Sequence, residues 1–221
     1  NRLMFPILDA NGRVCGFGGR QLVKDDKSPK YMNSAETIVY KKSRILYGLN
    51  LAKEEIINSG YAVLCEGYMD VVICHAFGHP QAVASLGTSL TREQARLLKR
   101  FAARTYFLYD GDPAGQRAML RGGEPLLEAD FDVRVISLPP DDDPDSYLRR
   151  EGGKALHGEI SRAAEFFDFA MAHHSAAVDL STLAGQAELV ERMASVLNSL
   201  RNDVMREGAI SRLLHKLGGL P

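Results

Sequence analysis

Residues 61–67 read Tyr-Ala-Val-Leu-Cys-Glu-Gly, five largely apolar residues that stop at a carboxylate. A short continuous apolar run of this kind is expected for a strand buried on both faces. The pattern then recurs. Asp70 to Phe77 reads as helix, ended by Gly78, and Gln81 to Ser85 is a second apolar run. Thr91-Arg92-Glu93-Gln94 is a capping box that opens a helix to about Ala103. Thr105 to Tyr109 is a third strand, Pro113 starts a helix running to about Ala129, and Val133 to Leu138 is a fourth strand. Alternation at this spacing predicts an α/β fold with a parallel sheet and helices on both faces.

Outward from this core the pattern changes. Upstream, Leu3–Asp9 and Arg13–Arg20 flank Ala10-Asn11-Gly12, and Asn-Gly between apolar runs predicts a hairpin. Residues 24–37 are polar and read as loop, while Leu49 to Ser59 has helical periodicity, ended by Gly60. After Pro140 no strand signal appears. Ser161–Ala177, Ser181–Leu200 and Asp203–Leu217 read as amphipathic helices opened by Ser or Asp caps, with Met171, Met193 and Met205 as core residues. The expected divisions are 1–60, a basic segment; 61–155, the sheet domain; and 156–221, a helical subdomain.

Composition excludes several classes. In 221 residues, 45% are hydrophobic and 25% charged, ordinary values for a globular chain. No apolar run reaches the length of about 18 residues that a membrane span needs. Three cysteines without a Cys-x-x-Cys pair argue against a disulfide framework and a structural zinc site, and fit a reducing compartment such as the cytoplasm. The start at Asn1, without a basic-apolar leader, suggests a piece of a longer polypeptide. Net charge is +4 over residues 1–60, −3 over 61–150 and −2 over 151–221. A basic segment before an acidic one suits anionic ligands plus metal ions.

The carboxylates locate the chemistry. Parallel sheets bind ligands beyond the carboxyl ends of their strands. Glu66 follows the first strand, Asp110-Gly111-Asp112 the third, and Asp141-Asp142-Asp143-Pro144-Asp145 the fourth. Gathered at one edge, these charges would repel, and a divalent cation is the simplest compensation. Oxygen donors without His or Cys point to Mg²⁺ or Mn²⁺, and two such ions would suit phosphoryl or nucleotidyl transfer. Taken singly, Asp112 before Pro113 and Asp143 before Pro144 also read as helix N-caps, and Asp110-Gly111 as a turn. Glu66 has no capping role.

These residues carry a resemblance. Glu66-Gly67-Tyr68-Met69-Asp70 and Asp110-Gly111-Asp112-Pro113-Ala114-Gly115 are similar to the Glu and Asp-x-Asp motifs of the Toprim domain of primases, topoisomerases and nucleases. Met4–Ile7, Gly16–Arg20, Pro29–Ser34, Leu46–Leu49, Ala84–Thr88 and Asp143-Pro144-Asp145 resemble the catalytic core of DnaG-type bacterial primases. The resemblance implies a Toprim-type parallel sheet flanked by helices, preceded by a small β-containing basic segment and followed by a helical subdomain. It implies RNA primer synthesis on a single-stranded DNA template from ribonucleoside triphosphates. Glu66, Asp110, Asp112, Asp143 and Asp145 would hold two or more Mg²⁺ or Mn²⁺ ions, with Glu66, Asp110 and Asp112 catalytic and Asp70 a further carboxylate. Arg20, Lys30 and Lys42, with Asn33, Lys41 and Arg44, would bind nucleotide and template. Partners would be the replicative helicase and single-strand-binding protein, reached through the full-length protein at the replication fork of a bacterial nucleoid. No zinc, no membrane and a monomeric state are expected. The family's zinc-binding domain, the first part of its polymerase core and its helicase-binding domain are expected to be absent.

The competing functions are a Toprim nuclease or topoisomerase and a non-catalytic binding module. The Phe5-Pro6-Ile7 and Lys30-Tyr31-x-Asn33-Ser34 segments argue against strand cleavage, and the intact carboxylates argue against a mere binding module. His75 and His79 do not form a helical metal pair, because Gly78-His79-Pro80 lies past the helix end. Tyr31, Tyr40 and Tyr47 are expected to pack rather than to stack on bases.

Overall fold

The computed structural model describes residues 1–23, 27–87 and 89–219. Asp25-Asp26, within the segment joining Arg20 to Lys30, and Thr88 lie outside the described residues. The amino-terminal part is an antiparallel sheet in the order β1 (Arg2–Leu8), β2 (Val14–Gln21), β3 (Tyr31–Asn33). The Asn11-Gly12 hairpin forms as predicted. Asp9 holds it by accepting from the Asn11 and Arg13 amides at 2.9 and 3.0 Å. The short β3 falls in the stretch read as loop; its three residues are too few for alternation to show.

The second sheet has five strands in the order β5-β4-β6-β7-β8. They are β4 (Tyr61–Cys65), β5 (Ala82–Ala84), β6 (Arg104–Phe107), β7 (Asp132–Val135) and β8 (Ala164–Glu165). The first four are parallel, as predicted. The two-residue β8 pairs antiparallel with β7 and corrects the expectation of no strand after Pro140. Strand alternation sorts the core onto two faces. Ala62, Leu64 and Phe107 face a cluster containing α1 (Leu49–Ser59), α3 (Arg92–Lys99) and α4 (Pro113–Glu128). Val63, Cys65 and Leu108 face a smaller cluster with α2 (Tyr68–Ala76), α5 (Pro144–Glu151) and α6 (Gly153–Arg162). The histidine expectation holds, since α2 ends at Ala76 and His79 lies beyond it.

The last helices are α7 (Phe166–Ser175), α8 (Leu183–Ser199) and α9 (Asp203–Lys216), and they join the larger cluster through Phe166, Leu189, Met193 and Leu213. The helix expected from Ser161 starts at Phe166, because residues 164–165 are drawn into β8. The caps of α8 and α9 are Thr182 and Asn202, accepting from Gly185 and Met205 amides, rather than Ser181 and Asp203. Met193 is fully buried, but Met205, in the first turn of α9, is half exposed and is not core. No described helix is long and apolar enough to cross a membrane.

A third apolar cluster joins the two sheets: Phe5, Ile7, Tyr40, Ile45, Tyr68 and Leu86. Tyr68 is its hub. Its ring stacks on Phe5 at 5.0 Å and meets the edge of Tyr47 at 4.7 Å. The approach depends on Gly18, where a Cβ would sit 2.4 Å from the Tyr68 ring. Any larger residue at position 18 would wedge the sheets apart.

Candidate active site

The topology sets the site. From β4 the chain steps outward to the edge strand β5, then returns to place β6 on the other side of β4. The crevice of a parallel sheet lies at this switch in direction. Glu66 directly follows β4, and Asp110 lies three residues beyond β6. The Asp141–Asp145 run, beyond β7, enters the same edge. Its main chain is tied there by the Gly111 amide donating to the Asp142 carbonyl at 2.9 Å.

A cavity of about 330 Å³ occupies the crevice. One wall carries Arg20, Lys30, Tyr31 and Asn33 from β2, β3 and the residue before it; the other carries Glu66, Asp70, Asp110, Asp143 and Asp145. Eight of the twelve residues expected at the site are thereby brought together. Asp112 does not line the cavity; its carboxylate caps α4, accepting from the Gly115 amide at 2.7 Å. Lys41, Lys42 and Arg44 also stand outside. Lys42 to Arg44 form a single 3₁₀ turn held against α3, with Gln94 Nε2 donating to the Lys42 and Ile45 carbonyls at 2.9 and 2.8 Å.

Both predicted caps are real. Asp143 opens α5 by accepting from the Ser146 amide at 2.7 Å while also lining the cavity. Asp145 pairs with Arg149 at 2.7 Å across one helical turn. Asp142 is held outside the cavity by a two-pronged pair with Arg150, at 2.8 and 2.6 Å. Asp70, in the first turn of α2, accepts from the Gly67 amide at 2.9 Å. The junction after β6 is tight. A Cβ on Gly115 would lie 2.2 Å from the Asp110 carbonyl oxygen and 3.1 Å from Glu66 Oε1, so only glycine lets α4 begin here.

Burial raises the pKa of Glu66, and the charges of Asp110 and Asp112 raise it further. Asp110 is raised by burial and by Asp143 and Asp112, with Lys30 across the cleft pulling it back. Asp70 is pushed up to about 7 by burial, with Asp110 and Glu66 adding to the rise. Glu66 Oε1 is buried without a hydrogen-bond partner. These are marks of a carboxylate set short of positive charge. Among the described residues no three His, Cys, Asp or Glu side chains converge into a finished ion cage. The carboxylates instead ring an open cavity with oxygen donors only. That fits Mg²⁺, which keeps several waters and is shared between one or two carboxylates and substrate phosphates.

The sequence reading missed Tyr31 as a cleft residue. It is not packed away: 37% exposed, it lies over the cavity with Arg20 and Lys30 within 5.9 and 5.8 Å of its ring centre. Its place between two cleft cations was the available signal. Tyr40 is fully buried and Tyr47 partly so, as expected. Leu86 and Gly87, also in the wall, have positive φ values of 65° and 75°, a turn that follows β5 directly.

A parallel sheet that gathers carboxylates at its switch point, with the Glu and Asp-x-Asp spacing, defines a Toprim-like domain, and the family model of that description matches residues 63–148. Models of the DNA primase catalytic core N-terminal domain and of the DnaB-helicase binding domain of primase match residues 1–53 and 167–221. The catalytic core of the E. coli primase shares 39% identity and a TM-score of 0.89, covering all of this chain and 71% of that one. A DnaG primase catalytic domain solved with single-stranded DNA gives 38% and 0.88, over all of this chain and 70% of that one. The DNA primase of Clostridium acetobutylicum is 39% identical over 218 residues, 99% of this chain. The chain therefore belongs to the DnaG-type family of bacterial DNA primases. It spans 36% of the length of the Clostridium protein. The match over 167–221 corrects the expectation that a helicase-binding domain is absent: it falls on α7 to α9, where the sequence offered only generic amphipathic helices.

Proposed function

We propose that this chain is part of a primase catalytic core that joins ribonucleotides on a single-stranded DNA template. The observation that carries the reading is the two-walled cleft, with cations facing carboxylates across one cavity. Arg20 and Lys30 bind the triphosphate, since a guanidinium and an ammonium match phosphate oxygens. Tyr31 offers a face for a base. Asn33 orients the strand that carries these groups. Glu66 and Asp110, with Asp143, Asp145 and Asp70 around them, would hold two Mg²⁺ or Mn²⁺ ions, and Asp112 supports them from the cap of α4. Bound there, the ions supply charge stabilisation for the attacking and leaving oxygens. Arg149 is displaced from Asp145 as the site fills, which costs little for an exposed pair. Lys41, Lys42 and Arg44, outside the cleft, contact template phosphates.

The reaction forms one bond from a 3′ oxygen to the α-phosphorus and breaks the bond to the β-phosphate. Pyrophosphate leaves and the hydroxyl proton passes to water. Residues 1–60, 61–155 and 156–221 are the working divisions: phosphate-binding wall, catalytic sheet and helical segment. The helical segment supports a helicase as a partner, by its match to the DnaB-helicase binding model. Single-strand-binding protein, a monomeric state and a bacterial cytoplasmic setting at the replication fork follow from the same reading.

The test is binding of a fluorescent ribonucleoside triphosphate with and without Mn²⁺. The native chain should bind only with Mn²⁺, and Asp110→Ala and Lys30→Ala should each lose that binding. Binding that ignores Mn²⁺ and survives both changes would overturn the site.

A further inference from the structure

A second cavity, about 360 Å³, adjoins the first. The two share Glu66 and Gly87 and no other lining residue. The second is walled by Ser85, Ser89, Tyr109 and Arg121, with Arg121 its one cation and Glu66 its one carboxylate among the described residues. The first holds two cations and five carboxylates. Arg121 donates from Nε to Ser89 Oγ at 3.2 Å and forms no ion pair among the described residues. A guanidinium has five N–H donors, so beside the bond to Ser89 most of those of Arg121, an exposed residue lining the cavity, remain free for a ligand. Glu66 Oε1, buried and unpartnered, lies at the junction of the two spaces.

The chemistry of transfer assigns these spaces different occupants. Attacking and leaving oxygens lie roughly in line on opposite sides of the phosphorus. With the triphosphate against Arg20 and Lys30, pyrophosphate departs on the side of the first cavity. The 3′ hydroxyl must then arrive from across Glu66, where the second cavity opens. An unpaired arginine beside hydroxyl groups fits one phosphodiester, a single negative charge with two free oxygens. It does not match the charge of a polyphosphate, for which the first cavity has two cations.

We infer that the second cavity receives the 3′ end of the growing strand, with Arg121 holding the phosphodiester that joins its last two nucleotides. This rests on the nucleotidyl-transfer reading above. Arg121 is then a substrate-positioning residue whose effect falls on the strand and not on the incoming nucleotide.

The experiment compares the native chain with Arg121→Ala and Arg121→Lys. Each is titrated with an RNA primer annealed to a DNA template, carrying either a natural or a methylphosphonate last linkage, over a range of salt. Mn²⁺-dependent binding of the fluorescent triphosphate is measured beside it. The expected result is a roughly tenfold loss of primer–template affinity in Arg121→Ala, a salt slope shallower by about one, and unchanged triphosphate binding. Arg121→Lys should retain the slope. The methylphosphonate should weaken the native chain about tenfold and leave Arg121→Ala unaffected. A native chain indifferent to the methylphosphonate would overturn the assignment, as would parallel loss of triphosphate binding in Arg121→Ala, which would mark a structural role. Triphosphate binding that needs no Mn²⁺ and survives Asp110→Ala and Lys30→Ala would instead overturn the transfer reading itself.

Discussion

The Tyr68 hydroxyl donates to Asn33 Oδ1 across 2.6 Å, and Asn33 Nδ2 donates onward to the Leu86 carbonyl at 3.3 Å. Asn33 belongs to the basic wall, Tyr68 to the helix that follows Glu66, and Leu86 to the turn after β5. One short chain of hydrogen bonds thus sets the distance between the cations and the carboxylates. Tyr68→Phe keeps the ring packing and removes the donor. It should cost about 1–2 kcal/mol, because the bond is lost and the Asn33 acceptor is left partly buried. Chemical denaturation measures that loss. Mn²⁺-dependent triphosphate affinity should fall with it, as Arg20 and Lys30 lose their register against Glu66 and Asp110.

Neutralising a repelling carboxylate should separate stability from function. Asp110 is half-buried beside Asp143 and Asp112, and its pKa is raised. Asp110→Asn relieves both the burial of a charge and the repulsion. Without added metal its thermal midpoint should rise by about 2–4 °C, the shift expected of roughly 1 kcal/mol in a chain of this size. Metal-dependent triphosphate binding should vanish in the same variant. A variant that melts lower than the native chain would show that Asp110 is compensated in the folded protein by something other than a cation.

How far the site could be read in advance depends on what kind of signal each residue leaves. Glu66 stood out because a carboxylate closing a buried apolar strand has no capping duty, whereas Asp110, which also reads as a turn with Gly111, stood out only through carboxylates at three strand ends. Asp112 and Asp143 carried two readings at once, and the structure makes caps of both, with Asp143 also facing the cleft. Arg20 and Lys30 were placed through resemblance; no local pattern could bring β2 against α2. The long-range contact is made by Gly18 and Tyr68, where a missing Cβ on one strand receives a ring from another part of the chain. Strand β8 escaped notice because two residues joining an existing edge need no periodicity of their own. Arg121 was silent because an arginine on a helix is ordinarily a solvated face.

The tight start of α4 gives a steric prediction. A methyl group on Gly115 would meet the Asp110 carbonyl at 2.2 Å. The contact is with backbone, so no side-chain rotation relieves it. Gly115→Ala should shift the first turn of α4 and lose the Asp112 cap, at a cost of about 1–3 kcal/mol by overpacking. Binding of triphosphate should be lost even under conditions where circular dichroism shows the variant folded. Gly208→Ala, on an exposed helical face with open space around it, serves as the control that keeps both properties.

The final prediction concerns pH. His79 is fully buried, and its Nε2 lies 2.9 Å from the Gly153 carbonyl, so the neutral ring carries its proton on Nε2. Nδ1 is then bare and has no partner. Burial lowers the pKa of His79, and the His157 ring, 4.5 Å away centre to centre, lowers it further. A lowered pKa means that below the ordinary histidine value of about 6.5 the unfolded chain takes up a proton that the folded chain refuses. The contribution of His79 to stability is therefore complete above that pH and declines as pH falls through the window between 6.5 and the folded-state value. Urea denaturation at pH 7.5 and pH 5.5 should show the native chain losing more stability on acidification than His79→Gln, which keeps a donor for Gly153 without the titrating ring. Equal losses in the two proteins would mean that His79 accepts its second proton in the folded state, with water or a carbonyl reaching Nδ1.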